Sequence, residues 1–392
     1  MNFPVADRGF NMQMKNVYIN KISVFLPNGP VSNDDMEKVL GQVGPRPSRA
    51  RRVILKSNKI KERYYAIDPK TGETTHTNAE LTANAVRGLG ESGVNKAELL
   101  VCGTTLADQL MPNHALMVHG ELGLKPLEVV ATSGICLSGA TALKYAYTSV
   151  KSGEVKVALA TGSENSSAMM RAKHFQSEID AKVDALEKNP EVAFEKDFLR
   201  WMLSDGAGAM LVSDMPNSEG LSLKIEKIFS RSYANELDAC MYSGCDKQED
   251  GSLKGWREYD SKALLAQSIF STKQDVKLLN ENIIKYTVTK PLVEMLEKNI
   301  FKPNEIDWFL PHYSSGYFRD KVYEGLLNAN CDIPQEKWFT NLPYKGNTGS
   351  ASFYIMLEEL FNGAKVKKGQ KLLCYVPESG RFSTAFILLE VV

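Results

Sequence analysis

Apolar residues along this chain recur in two rhythms that alternate from end to end. Short runs dense in Val, Ile, Leu and Ala read as buried strands, and longer stretches with apolar positions three and four apart read as helices. The strand-type runs of the first half are Val17–Phe25, Ala97–Gly103, Glu128–Ala131, Val155–Thr161 and Gly208–Ser213. Those of the second half are Trp308–Leu310, Leu372–Val376 and Phe386–Val391. Between them the spacing predicts helices at Asn78–Glu91, His114–Leu122, Gly139–Val150, Asn280–Lys298 and Ser350–Phe361. This alternation predicts an α/β fold with helices covering the sheets.

The two halves share a local plan. A helix, a short linker and an apolar strand end at Thr104 in Asn95–Thr104 and again at His312 in Pro303–His312. A helix, a Lys/Gly turn and an apolar strand ending near a serine occur at Gly139–Ser163 and, at nearly the same spacing, at Ser350–Ser379. Two matches in one order point to a duplicated fold. The expected division is 1–220, an N-terminal half with a helical insertion, and 221–392, a C-terminal half. Three stretches stand outside the plan. Arg46–Arg63 holds eight basic residues against one acid, Glu62. It suits either a phosphate or acidic-carrier docking surface or a solvated basic helix, with Arg46, Arg49, Arg51 and Arg52 as its leading candidates. Asp180–Arg200 is charged and helical in pattern. Arg231–Lys262, rich in Gly, Asp, Ser and Tyr, reads as a long loop able to line a pocket.

Composition narrows the classes. The 392 residues bury a core with ease, and a net charge of zero offers no argument for nucleic acid. No apolar run approaches the roughly 18 residues needed to span a bilayer, so no membrane span is expected. The segment Met1–Lys15 lacks an apolar signal core. The six cysteines are scattered without disulfide or zinc spacing, so a reduced, cytoplasmic protein is expected. The five histidines form no ligand pair with neighbouring cysteine or carboxylate, so no metal site is expected.

The candidate chemistry begins at Cys136. In Glu128–Leu143 a strand runs into a Gly-bearing turn and then a small-residue helix, with Cys136 at the turn. Unpaired N–H groups and the positive end of a helix favour thiolate there, which suits a nucleophile that carries an acyl group. An arbitrary cysteine is more often simply packed. His312 closes a predicted strand, where α/β folds open toward their ligands, though a lone histidine is more often structural. Asn347 lies in Thr340–Ser352, a glycine-bearing loop that by itself reads equally as a helix cap.

Taken in order, Gly134-Ile-Cys136-Leu-Ser-Gly139, Ser204-Asp-Gly-Ala-Gly-Ala-Met-Leu-Val212, Pro311-His312, Gly346-Asn347-Thr-Gly-Ser-Ala-Ser352 and Glu378-Ser-Gly-Arg-Phe-Ser-Thr-Ala-Phe386 resemble the thiolase superfamily. Within it they are most similar to the ketoacyl synthase III branch of condensing enzymes. The resemblance covers Val17 to Val391. It implies a duplicated αβαβα layered fold and a homodimer. It also implies an acyltransferase whose partners are acyl-CoA or acyl carrier protein thioesters. By the same resemblance Cys136 accepts the acyl group, and His312 and Asn347 stabilise the enolate of the second substrate. The N–H groups of Cys136 and Gly380 would form the oxyanion hole, and no redox or metal cofactor is required.

The chain also departs from the chain-initiating members. The run after the strand is His312-Tyr-Ser-Ser315 instead of His-Gln-Ala-Asn, and the closing turn carries Glu378 and Arg381 instead of a run of glycines. The region between Ser163 and Asn280 is longer. These features are closer to ketosynthases of fatty-acid-derived secondary metabolism, such as those that form dialkylresorcinols or cyclohexanediones. A housekeeping initiator of fatty acid synthesis, a non-catalytic acyl-binding subunit and a thioesterase are the alternatives.

Overall fold

The computed structural model describes residues 14–43, 51–174 and 199–392. Arg46, Arg49 and most of Asp180–Arg200 lie outside the described residues. Among those residues, nine strands form one mixed sheet: β1 Tyr18–Phe25, β2 Leu99–Thr104, β3 Glu128–Ser133, β4 Val157–Glu164, β5 Gly206–Ser213, β6 Leu223–Ser232, β7 Trp308–Pro311, β8 Lys371–Glu378 and β9 Ser383–Val391. Their order is β7-β8-β9-β6-β1-β5-β4-β2-β3.

The pairing pattern occurs twice. Strand β2 runs parallel to β4, then β5 and β1 follow antiparallel. Strand β7 runs parallel to β8, then β9 and β6 follow antiparallel. Even the flank repeats, because Trp338 bridges Phe309 in parallel fashion where β3 pairs with β2. The halves meet where β1 pairs with β6, Tyr18 opposite Lys224 and Ile19 opposite Leu223.

Alternation within each strand sorts its side chains between layers. Leu99 and Val101 face a central core, whereas Leu100 and Cys102 face an outer one. Leu372, Cys374 and Val376 likewise face the centre, and Leu373 and Tyr375 the opposite outer core. Both faces are covered, which is why these strands read as unbroken apolar runs. The central layer holds the helices α3 (Ser138–Ser152) and α7 (Ser352–Asn362). One outer layer contains α1 (Asn78–Arg87) and α2 (His114–Leu122). The other contains α4 (Val276–Ile284), α5 (Lys290–Glu297) and α6 (Arg319–Asn328). The result is the layered αβαβα arrangement expected of the thiolase-like fold.

Four local readings differ from expectation. The helix over Asn78–Glu91 starts as read, with Thr77 and Glu80 forming a reciprocal cap, but stops at Arg87 before the Gly88–Gly90 break. The helix over Asn280–Lys298 is two segments joined by a π-turn at Lys285–Thr289. Pro291 has no N–H to offer the Thr287 carbonyl, which instead accepts from the Thr384 hydroxyl at 3.0 Å. Strand β6 was hidden because Lys224, Glu226 and Lys227 interrupt its apolar positions. The Arg231–Lys262 stretch begins inside β6 and continues through the short strands Met241–Tyr242, Cys245–Lys247 and Leu253–Gly255.

The central layer is closest at Ser350, just before α7. A Cβ on Gly139 would lie 2.3 Å from the Ser350 carbonyl oxygen, and one on Gly162 would lie 2.4 Å from the same atom. The Ser350 hydroxyl donates to the carbonyls of Ser163 at 2.9 Å and Gly103 at 3.2 Å. The Tyr354 hydroxyl donates to the Gly139 carbonyl at 3.0 Å. Glycine at 139 and 162 therefore allows the backbone of the second half to enter the first. Gly162→Ala is expected to destabilise the protein by about 1–3 kcal/mol, the usual range for overpacking, read as a lowered urea unfolding midpoint. An unchanged midpoint would show that the layers yield at this contact.

Candidate active site

Cys136 lies on the turn between β3 and α3. The Ile135 N–H donates to a carboxylate oxygen of Glu378 at 2.8 Å, and the Leu137 N–H donates to the same oxygen at 3.3 Å. The Ser138 hydroxyl donates back to the Ile135 carbonyl at 2.7 Å, which tightens the turn. Helix α3 begins two residues after the thiol, and no side chain caps it. The expected drift toward thiolate is reversed in this setting. Burial comes first, then the carboxylates of Glu164 and Glu378, and all three push the Cys136 thiol well above its ordinary range.

His312 follows β7, and its N–H donates to the Tyr375 carbonyl at 2.8 Å, extending the β7–β8 pairing by one residue. Its ring makes no hydrogen bond to a described residue, and burial lowers its pKa to about 4. It is a neutral imidazole at physiological pH, able to take a proton or donate an N–H.

Asn347 is held on both sides. Its N–H donates to the Met202 carbonyl at 2.9 Å, and its carbonyl accepts from the Ser204 N–H at 2.9 Å. Its side-chain oxygen accepts from the Gly349 N–H at 3.0 Å, with Gly349 at a φ of +48°. That bond consumes the acceptor end of the amide and leaves the NH2 end as a donor.

Two cavities meet at Cys136. One contains Asn347 and Glu164 and is walled by Leu106, Met169, Leu199, Met202, Leu203 and Met241. The other contains His312 and is walled by Leu279, Ile283, Phe318, Val322 and Tyr375. Ser314 and Ser379 line both. Cys136 thus lines both cavities, with Asn347 in the first and His312 in the second, three residues far apart in sequence. Gly380 is not a lining residue but follows Ser379 directly, and neither its N–H nor that of Cys136 is donated to a described residue. Met241, in the stretch read as a loop, does line the first cavity.

The basic run behaves differently. Arg51 pairs with Glu37 at 3.1 Å and Asp34 at 3.3 Å, so its charge is used internally. Arg52 is exposed. Among the described residues no group of His, Cys, Asp and Glu is arranged to hold a metal ion. No described helix is long and apolar enough to cross a membrane.

Glu164 was not singled out from the sequence. It ends β4 fully inside the protein and lines the cavity beside Cys136. Its carboxyl accepts the Ser350 N–H at 3.0 Å, the Thr105 N–H at 3.3 Å and the Thr105 hydroxyl. Burial raises its pKa to about 7 against the pull of these donors. The available signal was an acid closing an otherwise apolar strand.

Known proteins are similar to this chain in sequence and fold. The family described as 3-oxoacyl-[acyl-carrier-protein (ACP)] synthase III C terminal matches residues 296–388, which include His312 and Asn347. A β-ketoacyl-[acyl-carrier-protein] synthase III of Clostridium perfringens is 25% identical over 92% of this chain and 95% of its own length. One from Xanthomonas oryzae pv. oryzae is 24% identical over 89% and 90%. Among solved structures, AbyA1, a tetronic acid condensing enzyme, superposes with a TM-score of 0.73 at 20% identity, covering 95% of this chain and 99% of its own. OleA of Xanthomonas campestris superposes with a TM-score of 0.69 at 19% identity, covering 96% and 97%. These solved structures share the layered thiolase-like fold with this chain. Over about nine-tenths of its length the chain is similar to β-ketoacyl-[acyl-carrier-protein] synthase III enzymes, which are condensing acyltransferases.

Glu164 also has a thermodynamic signature. A carboxyl whose pKa is raised from 4.5 to about 7 on folding favours the folded state below 4.5, and that contribution is lost as pH rises through 7. The loss is on the order of 3 kcal/mol. Glu164→Gln keeps the acceptor oxygen without the titration. It is expected to flatten the fall in urea stability between pH 4.5 and pH 7, leaving a smaller slope from Asp205, whose pKa burial raises to about 6. Identical slopes in both proteins would contradict this.

Proposed function

We propose that the chain forms a carbon–carbon bond between two acyl thioesters through an acyl-Cys136 intermediate. The observation that carries this reading is the junction of two cavities at Cys136, one bearing Asn347 and the other His312. The Cys136 sulfur attacks the thioester carbonyl while its proton passes to neutral His312. The tetrahedral oxygen takes the N–H groups of Cys136 and Gly380, and the carrier thiol leaves with the proton. The second thioester then becomes an enolate by decarboxylation or deprotonation. Its oxygen takes donors from His312 and Asn347, its carbon displaces Cys136 from the acyl group, and the departing thiolate takes up the α-proton or, after loss of CO2, a proton from water. Two neutral donors suit this step, because negative charge appears only as the enolate forms.

Acyl-CoA or acyl carrier protein would deliver the substrates. Of the basic run, Arg52 remains a docking candidate among the described residues, and Arg51 is the weaker one. The apolar walls of both cavities favour two fatty acyl chains, as in secondary metabolism that yields dialkylresorcinols or cyclohexanediones. The relatives named β-ketoacyl-[acyl-carrier-protein] synthase III support instead a housekeeping initiator that loads a short acyl group. A cytoplasmic homodimer fits either. Among the described residues the outer edge of β3 pairs with no strand, and Leu106, Leu110, Met111 and Leu116 are exposed. We assign the two functional halves to 1–220 and 221–392, Cys136 to the first and His312 with Asn347 to the second.

Intact-protein mass spectrometry with a panel of acyl-CoA and acyl-carrier thioesters tests this. The wild type is expected to gain one acyl mass and Cys136→Ala none. Preference for long chains supports the secondary-metabolism reading, and preference for acetyl the initiator. His312→Ala and Asn347→Ala should form condensed product roughly 10²–10³-fold more slowly. No adduct with any donor would overturn the proposal in favour of a non-catalytic subunit.

A further inference from the structure

We infer that Glu378 positions the nucleophile: its carboxylate holds the two backbone N–H groups on either side of Cys136 and fixes a negative charge behind the thiol. The inference builds on the acyl-Cys136 reading. One oxygen of Glu378 accepts from both Ile135 and Leu137, two contacts that reach across the halves of the fold from the end of β8. The other oxygen accepts from the Ser383 hydroxyl at 3.3 Å. The turn is shaped to admit the carboxylate, since a Cβ on Gly134 would lie 3.0 Å from it. On the far side, a Cβ on Gly380 would lie 2.9 Å from the Ile135 side chain.

This arrangement singles out one backbone donor. The N–H groups before and after Cys136 are consumed by Glu378, and that of Cys136 is left for a substrate oxygen. Removing the carboxylate would free both donors that it holds and loosen the turn that carries the sulfur. The charge has a separate effect. A carboxylate beside a thiol opposes its ionisation, so Glu378 delays thiolate formation until a base accepts the proton. The other groups bordering Cys136 are Glu164 from β4, His312 after β7, Arg200, Tyr313 and Tyr375. Behind Glu378 lie Lys144 of α3 and Arg231 of β6. Lys144 donates to the Ser230 hydroxyl at 2.6 Å, and Arg231 is paired with Glu294, so neither is hydrogen-bonded to Glu378.

The two roles separate in Glu378→Gln and Glu378→Ala. Glutamine preserves the shared acceptor oxygen and removes the charge, whereas alanine removes both. The probe is iodoacetamide, with alkylation of Cys136 followed by peptide mass spectrometry across pH and acyl loading from acyl-CoA followed in parallel. Glu378→Gln is expected to move the alkylation profile to lower pH and to speed alkylation at pH 7.5 by about threefold or more, because rate follows thiolate fraction. Its acyl loading should exceed that of Glu378→Ala by about tenfold or more, because the acceptor oxygen is kept. Glu378→Ala is expected to load about tenfold or more slowly while its alkylation at high pH stays normal. A Glu378→Gln profile that superposes on the wild type, or shifts upward, overturns the inference, as does wild-type loading by Glu378→Ala. If Glu378→Ala does not fold, the Glu378→Gln profile decides alone. A wild type that loads no acyl group sinks the acyl-Cys136 reading instead, and the alkylation profile still judges Glu378.

Discussion

The approach of the Ser350 backbone to Gly139 and Gly162 is the contact on which the rest of the site depends. It lies three residues from both Cys136 and Asn347, so the turn that bears the thiol and the loop that bears the amide are set by one packing contact. Hydrogen bonds then lock it. The Ser350 hydroxyl spans the ends of β2 and β4, its N–H reaches Glu164, and Tyr354 one turn later holds Gly139. Rigid close packing of this kind has few alternatives, because a displaced backbone would leave several buried donors and acceptors unmatched.

The electrostatics of the site follow from that burial. A water-poor centre penalises every charge, and the side chains there resolve toward neutrality: His312 falls to about 4, Glu164 rises to about 7, and the Cys136 thiol rises further. The resting site therefore holds a thiol, an imidazole and an amide, with the N–H groups of Cys136 and Gly380 unspent. Apart from the Glu378 carboxylate behind the turn, new charge would arise only when a thioester carbonyl is attacked or an enolate forms. Donors already fixed in place stabilise such charge without reorganising.

Much of this was legible in the sequence, and the failures have physical causes. Buried strands announce themselves when both faces are apolar, so β2, β4 and β8 were read closely from their runs. Strand β6 carries Lys224, Glu226 and Lys227 among its apolar positions and was missed. Helix α6 was missed as well: only Val322, Gly325 and Leu326 of its ten residues are buried. The π-turn depended on Thr384, almost a hundred residues beyond Thr287, and no local pattern contains that bond. The same limit applies to the site. Cys136, His312 and Asn347 stood out through their turns and the family they resemble. The burial that reverses the expected thiolate bias, and after it the carboxylates of Glu164 and Glu378, exist only in the folded chain.

The central claim is that two acyl thioesters meet at Cys136 and are joined there. Its most direct test is a single-turnover reaction with two ¹³C-labelled acyl thioesters, with the product read by NMR. A one-bond coupling between the labelled carbonyl carbon of one acyl group and the labelled α-carbon of the other, lost in Cys136→Ala, is the predicted result. Release of free acid and carrier thiol, with no coupling under any substrate pair, would contradict condensation and leave a thioesterase in its place.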